Sequence, residues 1–207
     1  MPLTAPAVTR TLLLANIGAF LAQLAAGEEL LRWFALWPLG APQAPGPGGP
    51  AGFLPWQLLT YGFLHGSALH IFVNLFGLYL FGSEVERVLG RRRYLVYYFA
   101  CVLAAGTTQL IVSALSGGPA YPTIGASGAV FGLLLAYGIF FPRRIVVLIF
   151  PPVPMPARMF VVVYAAVELV LGVTGTQAGV AHFAHLGGMA GGYWMLRRWR
   201  RRRFDDM

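Results

Sequence analysis

Four histidines, one asparagine and one serine set among glycines are the side chains of this 207-residue chain best suited by type and spacing to do chemistry. The serine lies in Gly125-Ala126-Ser127-Gly128, at the head of an apolar run. There the free N–H groups and dipole of a helix N-terminus would favour developing negative charge, which suits a nucleophile whose product is an oxyanion. The small residues also suit a helix-packing face. His182 and His185 precede Gly187-Gly188 and Gly191-Gly192, and these small-residue pairs call for close helix packing that would bring His185 near a neighbouring span. An imidazole within reach of a serine hydroxyl is the minimal activated nucleophile. The other readings of His185 are a structural histidine or a metal ligand. His70 and Asn74 stand one helical turn apart and face the same way. Both can donate to an oxyanion, or join two helices by a polar contact.

The acids narrow the options. The only aspartates are Asp205 and Asp206 in the tail; Glu84 and Glu86 sit at the far end of the apolar run that holds Asn74. Glu168 is the only charge between 159 and 196, and its facing cannot be read from spacing. A Ser-His-Asp triad is excluded by count, so serine chemistry here is expected to run on a Ser–His dyad.

The elements that position these groups follow from composition. Charged residues are 11% of the chain, against about 25% in soluble domains, and mean hydropathy is +0.67. Such a chain needs a bilayer as part of its solvent. Residues 11–27, 33–83, 94–142 and 145–157 carry no charge, and Pro/Gly clusters at 40–50, 117–122, 151–156 and 172–179 divide the long runs. Six spans result, at about 10–26, 69–88, 93–115, 126–141, 157–173 and 180–197. The expected fold is an all-α polytopic membrane protein: a six-transmembrane-helix bundle forming one domain over 1–207, with a first outer loop at 27–68 and a basic tail at 198–207. With no cleavage site of the A-x-A type before a polar domain, the first span reads as uncleaved. The fourth span would cover about 24 Å, short of the roughly 30 Å hydrocarbon core, so a water-accessible cavity should open to the outer face above it.

All fifteen cations are arginine. Fourteen fall at Arg10, between spans 2 and 3, between spans 4 and 5, and after span 6; only Arg32 lies on the opposite side. This asymmetry puts both termini in the cytoplasm. The pI near 10.3 could suit nucleic acid, but the arginines cluster between apolar runs and no soluble basic domain exists to bind it. Cys101, the single cysteine, excludes an internal disulfide framework. Arginine without lysine, with heavy Ala, Gly and Pro usage, points to a GC-rich bacterial genome and hence to the plasma membrane.

The motifs H-x-x-x-N on span 2, G-x-S-G on span 4 and A-H-x-G-G on span 6, in this order over about residues 53–197, resemble the rhomboid family of intramembrane serine proteases. The resemblance implies Ser127 as nucleophile and His185 as general base, then acid. His70, Asn74 and the Ser127 N–H would form the oxyanion hole. Gly125 would line the substrate site together with Phe131, an aromatic position that packs on the catalytic histidine. Glu86, in Glu84-Val85-Glu86-Arg87, would be structural. Substrates would be single-pass or multi-pass membrane proteins, cut near the outer end of a transmembrane helix without a cofactor. One departure is Trp56-Gln57, where many members carry Trp-Arg; it puts the hydrogen bonds of the first outer loop in question.

Two other readings stand beside the protease. His65/His70 and His182/His185 could ligate a metal or haem, although no cysteine or carboxylate is placed by sequence to complete the set. A non-catalytic rhomboid-like protein that binds membrane helices is the second, although such proteins typically lose the serine or histidine and this chain keeps both. The topology is testable in intact cells. With Cys101 replaced by alanine, cysteines introduced near 45 and 120 should react with an impermeant reagent, and one near 201 should not. Labelling near 201 would invert the bundle.

Overall fold

A backbone surrounded by lipid must satisfy its own hydrogen bonds, so the apolar runs become helices. The computed structural model describes residues 4–40, 52–116, 122–147, 152–175 and 180–205. Residues 41–50 of the Pro/Gly stretch, the 117–121 and 176–179 breakers, Pro151 and the side chains of Arg201–Arg203 lie outside the described residues. Helix α1 covers Ala7–Phe34; α2, Gln57–Thr60, continues as a 3₁₀ turn at Tyr61–Phe63. A continuous rod follows, made of α3 (Ala68–Gly77), a π-helical turn (Leu78–Gly82) and α4 (Ser83–Leu89). Then come α5 (Arg91–Ser116), α6 (Ser127–Phe140), α7 (Ala157–Thr174) and α8 (His182–Asp205).

The protein is thus a polytopic helical membrane bundle. Four helices, Ala7–Phe34, Ala68–Leu89, Arg91–Ser116 and Ala157–Thr174, are long and apolar enough to cross a membrane. Helix α6 is apolar but has only 14 residues, about 21 Å of rise. Leu14, Leu24, Phe72, Ile111, Val162 and Val173 are exposed on the outer faces of the long helices, a surface that belongs in lipid. Two details differ from the sequence expectation. Helix α1 breaks its φ/ψ at Ala26, where the first span was expected to end, and then resumes to Phe34. After α6 the chain forms a two-stranded antiparallel ribbon, β1 (Ile145–Val147) with β2 (Pro154–Pro156), where a loop was expected. Its β-branched Ile-Val-Val pairs with a Pro-Met-Pro segment in which only Met155 has an N–H to donate.

Helix α6 sits centrally, with α8 packed against it on one side and α3 and the π turn on another. Glycine decides how closely α6 and α8 approach. A Cβ at Gly188 would strike the carbonyl of Gly128, and one at Gly132 would strike Cys101 of α5. Two further glycines of α8 do the same against α5, Gly187 over Thr108 and Gly191 over Ala104. Backbones in this contact gain dispersion and lose no side-chain entropy, which drives helix association where lipid removes the hydrophobic drive.

Buried carboxylates tie the opposite end together. Pro6 offers α1 no side-chain cap. Glu86 supplies one from α4, its two oxygens accepting the N–H groups of Val8 (3.0 Å) and Thr9 (2.7 Å) and the Thr9 hydroxyl (2.7 Å). Glu84 pairs with Arg87 and, across to the turn after α6, with Arg144 at 2.6 Å.

The α6–α8 contact predicts a pair of outcomes. Gly188→Ala should lower stability by about 1–3 kcal/mol by overpacking. Gly18→Ala, on an open face of α1 with nothing within 4 Å of the new carbon, should be neutral or slightly stabilising. Thermal melting in detergent compares them, and equal midpoints would contradict the close-packed seam.

Candidate active site

The site grows from the segment before α6. Leu36 and Thr123 exchange backbone hydrogen bonds at 3.0 and 2.9 Å, and Gly125 N–H donates to the Tyr61 carbonyl at 2.9 Å. Tyr61 is anchored in turn, its hydroxyl donating to the Val102 carbonyl of α5 at 2.8 Å. The chain enters α6 through Gly125 at φ +124°, a conformation that disfavours any side chain. Ser127 is then the first residue of the helix, where backbone N–H groups have no intrahelical acceptor.

Across the glycine seam, His185 Nε2 lies 2.8 Å from Ser127 Oγ. Phe131, one turn along α6, stacks on the His185 ring with centroids 4.3 Å apart and planes 5° from parallel, which fixes the plane of the imidazole. His185 Nδ1 lies 2.8 Å from Oε2 of Glu168 on α7. The same oxygen lies 2.7 Å from His182 Nδ1. Glu168, His182 and His185 are all buried. The sequence expectation stopped at serine and histidine because the facing of Glu168 could not be read. The signal was present, since a lone acid in an apolar span is retained for a reason, and His182 and His185 at spacing three share a helix face.

These three residues also present ligand atoms within 4.8 Å of one another. A tetrahedral ion bonded at about 2.1 Å to two donors holds them about 3.4 Å apart. The carboxylate oxygen lies 2.7 and 2.8 Å from the two nitrogens, which is hydrogen-bond spacing.

On the other wall, Gly66 N–H donates to His70 Nδ1 at 3.3 Å. In a neutral ring that leaves Nε2 as the donor, and Nε2 points at Gly125, where an added Cβ would come within 2.8 Å of it. Asn74 is one turn deeper. Its Nδ2 donates to the His70 carbonyl at 2.9 Å, and its second N–H remains for another acceptor. His65 packs edge-on to His70, with centroids 5.1 Å apart, and is joined to α1 through its backbone, whose N–H donates to Gln23 Oε1 at 2.8 Å. Burial, reinforced by the His70 ring, pushes the His65 imidazole down to about 4, so it stays neutral.

A cavity of about 500 Å³ lies between these walls, lined by His70, Asn74, Ser127, Phe131 and His185, with Gln109 and Ser113 of α5 on its polar side. Gly66 and Ser116 on its rim are exposed. Five of the six residues expected at the site therefore line one space, and the sixth, Gly125, lies beside it. Ser127 and His185 are in direct contact, His70 and Asn74 line the opposite wall, Phe131 lies under the imidazole and Gly125 lies against the His70 ring. Chemically the arrangement offers a hydroxyl, a base aligned to it, and donors nearby.

Gln57 resolves the departure seen at Trp56-Gln57. It is wholly buried. Its Oε1 accepts from the Trp37 and Leu54 N–H groups, both at 3.2 Å, and its Nε2 donates to the Gly52 and Trp33 carbonyls at 3.1 and 3.4 Å. A neutral amide, with both donor and acceptor, holds the loop without a buried charge.

Residues 53–202 match the family profile of the rhomboid domain. The chain is similar to RHOMBOID-like protein 4 of Arabidopsis thaliana, 34% identical over 145 residues, 67% of this chain and 32% of that protein. Over 79 residues, 38% of this chain and 14% of the relative, it is 43% identical to rhomboid protease GluP of Bacillus subtilis (strain 168). It is 30% identical over 128 residues, 61% of this chain and 40% of the relative, to rhomboid protease GlpG of Photorhabdus laumondii subsp. laumondii. The match thus spans less than half the length of each of these relatives.

Proposed function

The chain belongs to the rhomboid family, and from that premise we propose that it is an intramembrane serine endopeptidase cutting transmembrane-helix substrates near their outer end. The observation that carries this reading is the 2.8 Å contact between Ser127 Oγ and His185 Nε2 at the N-terminus of α6. The whole chain acts as one rhomboid-type membrane domain, in which α6 and α8 join the four long helices as the fourth and sixth spans in chain order. The arginine distribution supports cytoplasmic termini, and arginine without lysine in an Ala-, Gly- and Pro-rich chain supports a bacterial plasma membrane.

Ser127 Oγ attacks the scissile carbonyl carbon while His185 Nε2 takes its proton. The carbonyl oxygen becomes an oxyanion, held by the Ser127 N–H, His70 Nε2–H and the Asn74 amide. Collapse breaks the C–N bond, His185 passes its proton to the leaving amine, and an acyl group remains on Ser127. Water from the cavity, deprotonated by His185, hydrolyses that ester and restores the serine. Gly125 keeps side-chain bulk out of the space between the His70 ring and the substrate, and Phe131 forms a wall beside it. When His185 is cationic, the stacked Phe131 face also favours it.

Two predictions test the assignment, with detergent-solubilised protein and a model transmembrane substrate. Ser127→Ala and His185→Ala should each abolish cleavage with the fold intact, and the double variant should be no worse, because members of one catalytic unit are not additive. A fluorophosphonate should label Ser127 and fail in His185→Ala; substantial cleavage by either single variant removes the pair from the chemistry. His70→Ala and Asn74→Ala should each lower kcat by about 10²–10³-fold, or less where the remaining donors compensate, with KM and melting temperature changed little. If Asn74 is instead an interhelical clasp, its loss would lower stability by about 0.6 kcal/mol or somewhat more and leave kcat near wild type.

A further inference from the structure

We propose that Glu168 and His182 complete the catalytic unit as positioning residues, so that Ser127, His185 and Glu168 form a serine–histidine–glutamate relay with His182 as the clamp on its carboxylate. The proposal rests on the protease reading above and goes beyond it, since that reading needs only Ser127 and His185. It starts from the two sides of one ring. His185 Nε2 faces Ser127 Oγ at 2.8 Å and His185 Nδ1 faces Glu168 Oε2 at 2.8 Å. An ionised carboxylate can only accept, so the hydrogen of a neutral His185 sits on Nδ1. That leaves the lone pair on Nε2, aimed at the serine hydroxyl. Glu168 thus selects the one neutral tautomer in which His185 can act as a base.

The charge arithmetic agrees. With both imidazoles neutral, the cluster holds one negative charge, on Glu168. When His185 takes the Ser127 proton, the new imidazolium is already paired with that carboxylate, and Glu168 itself remains ionised. A carboxylate in an apolar span needs donors to stay charged, and His182 provides the second through its Nδ1 at 2.7 Å on the same oxygen. The geometry also separates the two histidines. The His182 Nε2 is buried and meets no partner among the described residues, whereas the His185 Nε2 meets the nucleophile. Tethering from α7 costs the site nothing in helix packing, because α7 already lies against both α6 and α8.

Several titratable groups face His185. Glu168 comes from α7, with Tyr164 one turn earlier against Phe131. His182 lies on its own helix and His70 across the cavity on α3. On α5 the ionisable Tyr97 and Cys101 lie beside Gly192, about two turns of α8 away from His185. Among these, Glu168 alone can carry a compensating negative charge in direct contact with the ring.

The test uses the full chain in detergent with the same model substrate, comparing wild type, Glu168→Gln, Glu168→Asp, His182→Ala and Ser127→Ala. Glu168→Gln should lower kcat by about 10²-fold or more, with KM and melting temperature changed little. The acid limb of its kcat/KM profile should move to lower pH, because losing the carboxylate makes His185 harder to protonate. Glu168→Asp should recover part of kcat and return the acid limb toward wild type, and His182→Ala should give a smaller loss in the same direction. NMR of isotope-labelled histidine, which needs no turnover, should find the His185 hydrogen on Nδ1 in Ser127→Ala and a mixed tautomer once Glu168→Gln is added. Glu168→Gln with kcat within about threefold of wild type and an unmoved acid limb would overturn the proposal, as would a kcat loss that only tracks a fall in melting temperature. So would an Nε2-protonated His185, or a stoichiometric transition metal on the purified protein. Cleavage that survives Ser127→Ala sinks the protease reading; cleavage lost in Ser127→Ala but untouched in Glu168→Gln sinks only this one.

Discussion

The contact on which the rest of the structure depends is backbone against backbone, Gly128 of α6 on Gly188 of α8. Lipid is as apolar as the helices it surrounds, so burying leucine cannot hold them together; close van der Waals approach can. Any side chain at this seam would separate the helices. Ser127 and His185 sit one and three residues from those glycines, so a displacement at the seam passes almost undiminished into their 2.8 Å contact. A packing requirement and a chemical one thus meet at the same residues. Interiors this closely packed have few alternative arrangements, and a hydrogen bond placed beside such a contact inherits its rigidity.

The second constraint is electrostatic. Each buried carboxylate has donors assembled around it, at least one of them from another part of the chain: Glu86 at the N-terminus of α1, Glu84 between Arg87 of its own helix and Arg144, Glu168 between two histidines of α8. The first two lie at the arginine-rich end, where they join helices. The third is at the opposite end, beside the cavity. A charge buried without partners would cost several kcal/mol, so these pairings also determine how the helices can be arranged. Gln57 shows the economical alternative, a neutral amide that makes four hydrogen bonds in a loop and needs no counter-ion.

The nucleophile is held by irregular backbone as well as by helices. The Leu36–Thr123 bridge, the Gly125 bond to Tyr61 and the Tyr61 bond to Val102 link the first loop, the entry to α6 and α5. Non-helical backbone at this depth persists because its polar groups are satisfied within protein. Gly125 at positive φ lets the chain turn there and leaves room for the His70 ring.

Much of this could be read from the chain alone, for reasons of period and composition. Uncharged runs and Pro/Gly breakers marked where the helices fall, because lipid allows the backbone few other solutions. Gly-Ala-Ser-Gly, the His-Gly-Gly pattern and the one-turn spacing of His70 and Asn74 pointed to a serine–histidine site, since those motifs are local and their geometry follows from helix pitch. The ribbon after α6 and the continuation of α1 past Ala26 were not readable, because short strands and kinks are decided by what they pack against. Glu168 is the clearest case. Its isolation in an apolar span marked it as unusual, but a residue's azimuth on a helix says nothing of which neighbour it meets. Only the rotation and register of α7 against α8, set by side-chain packing between segments distant in sequence, turned that carboxylate onto His182 and His185.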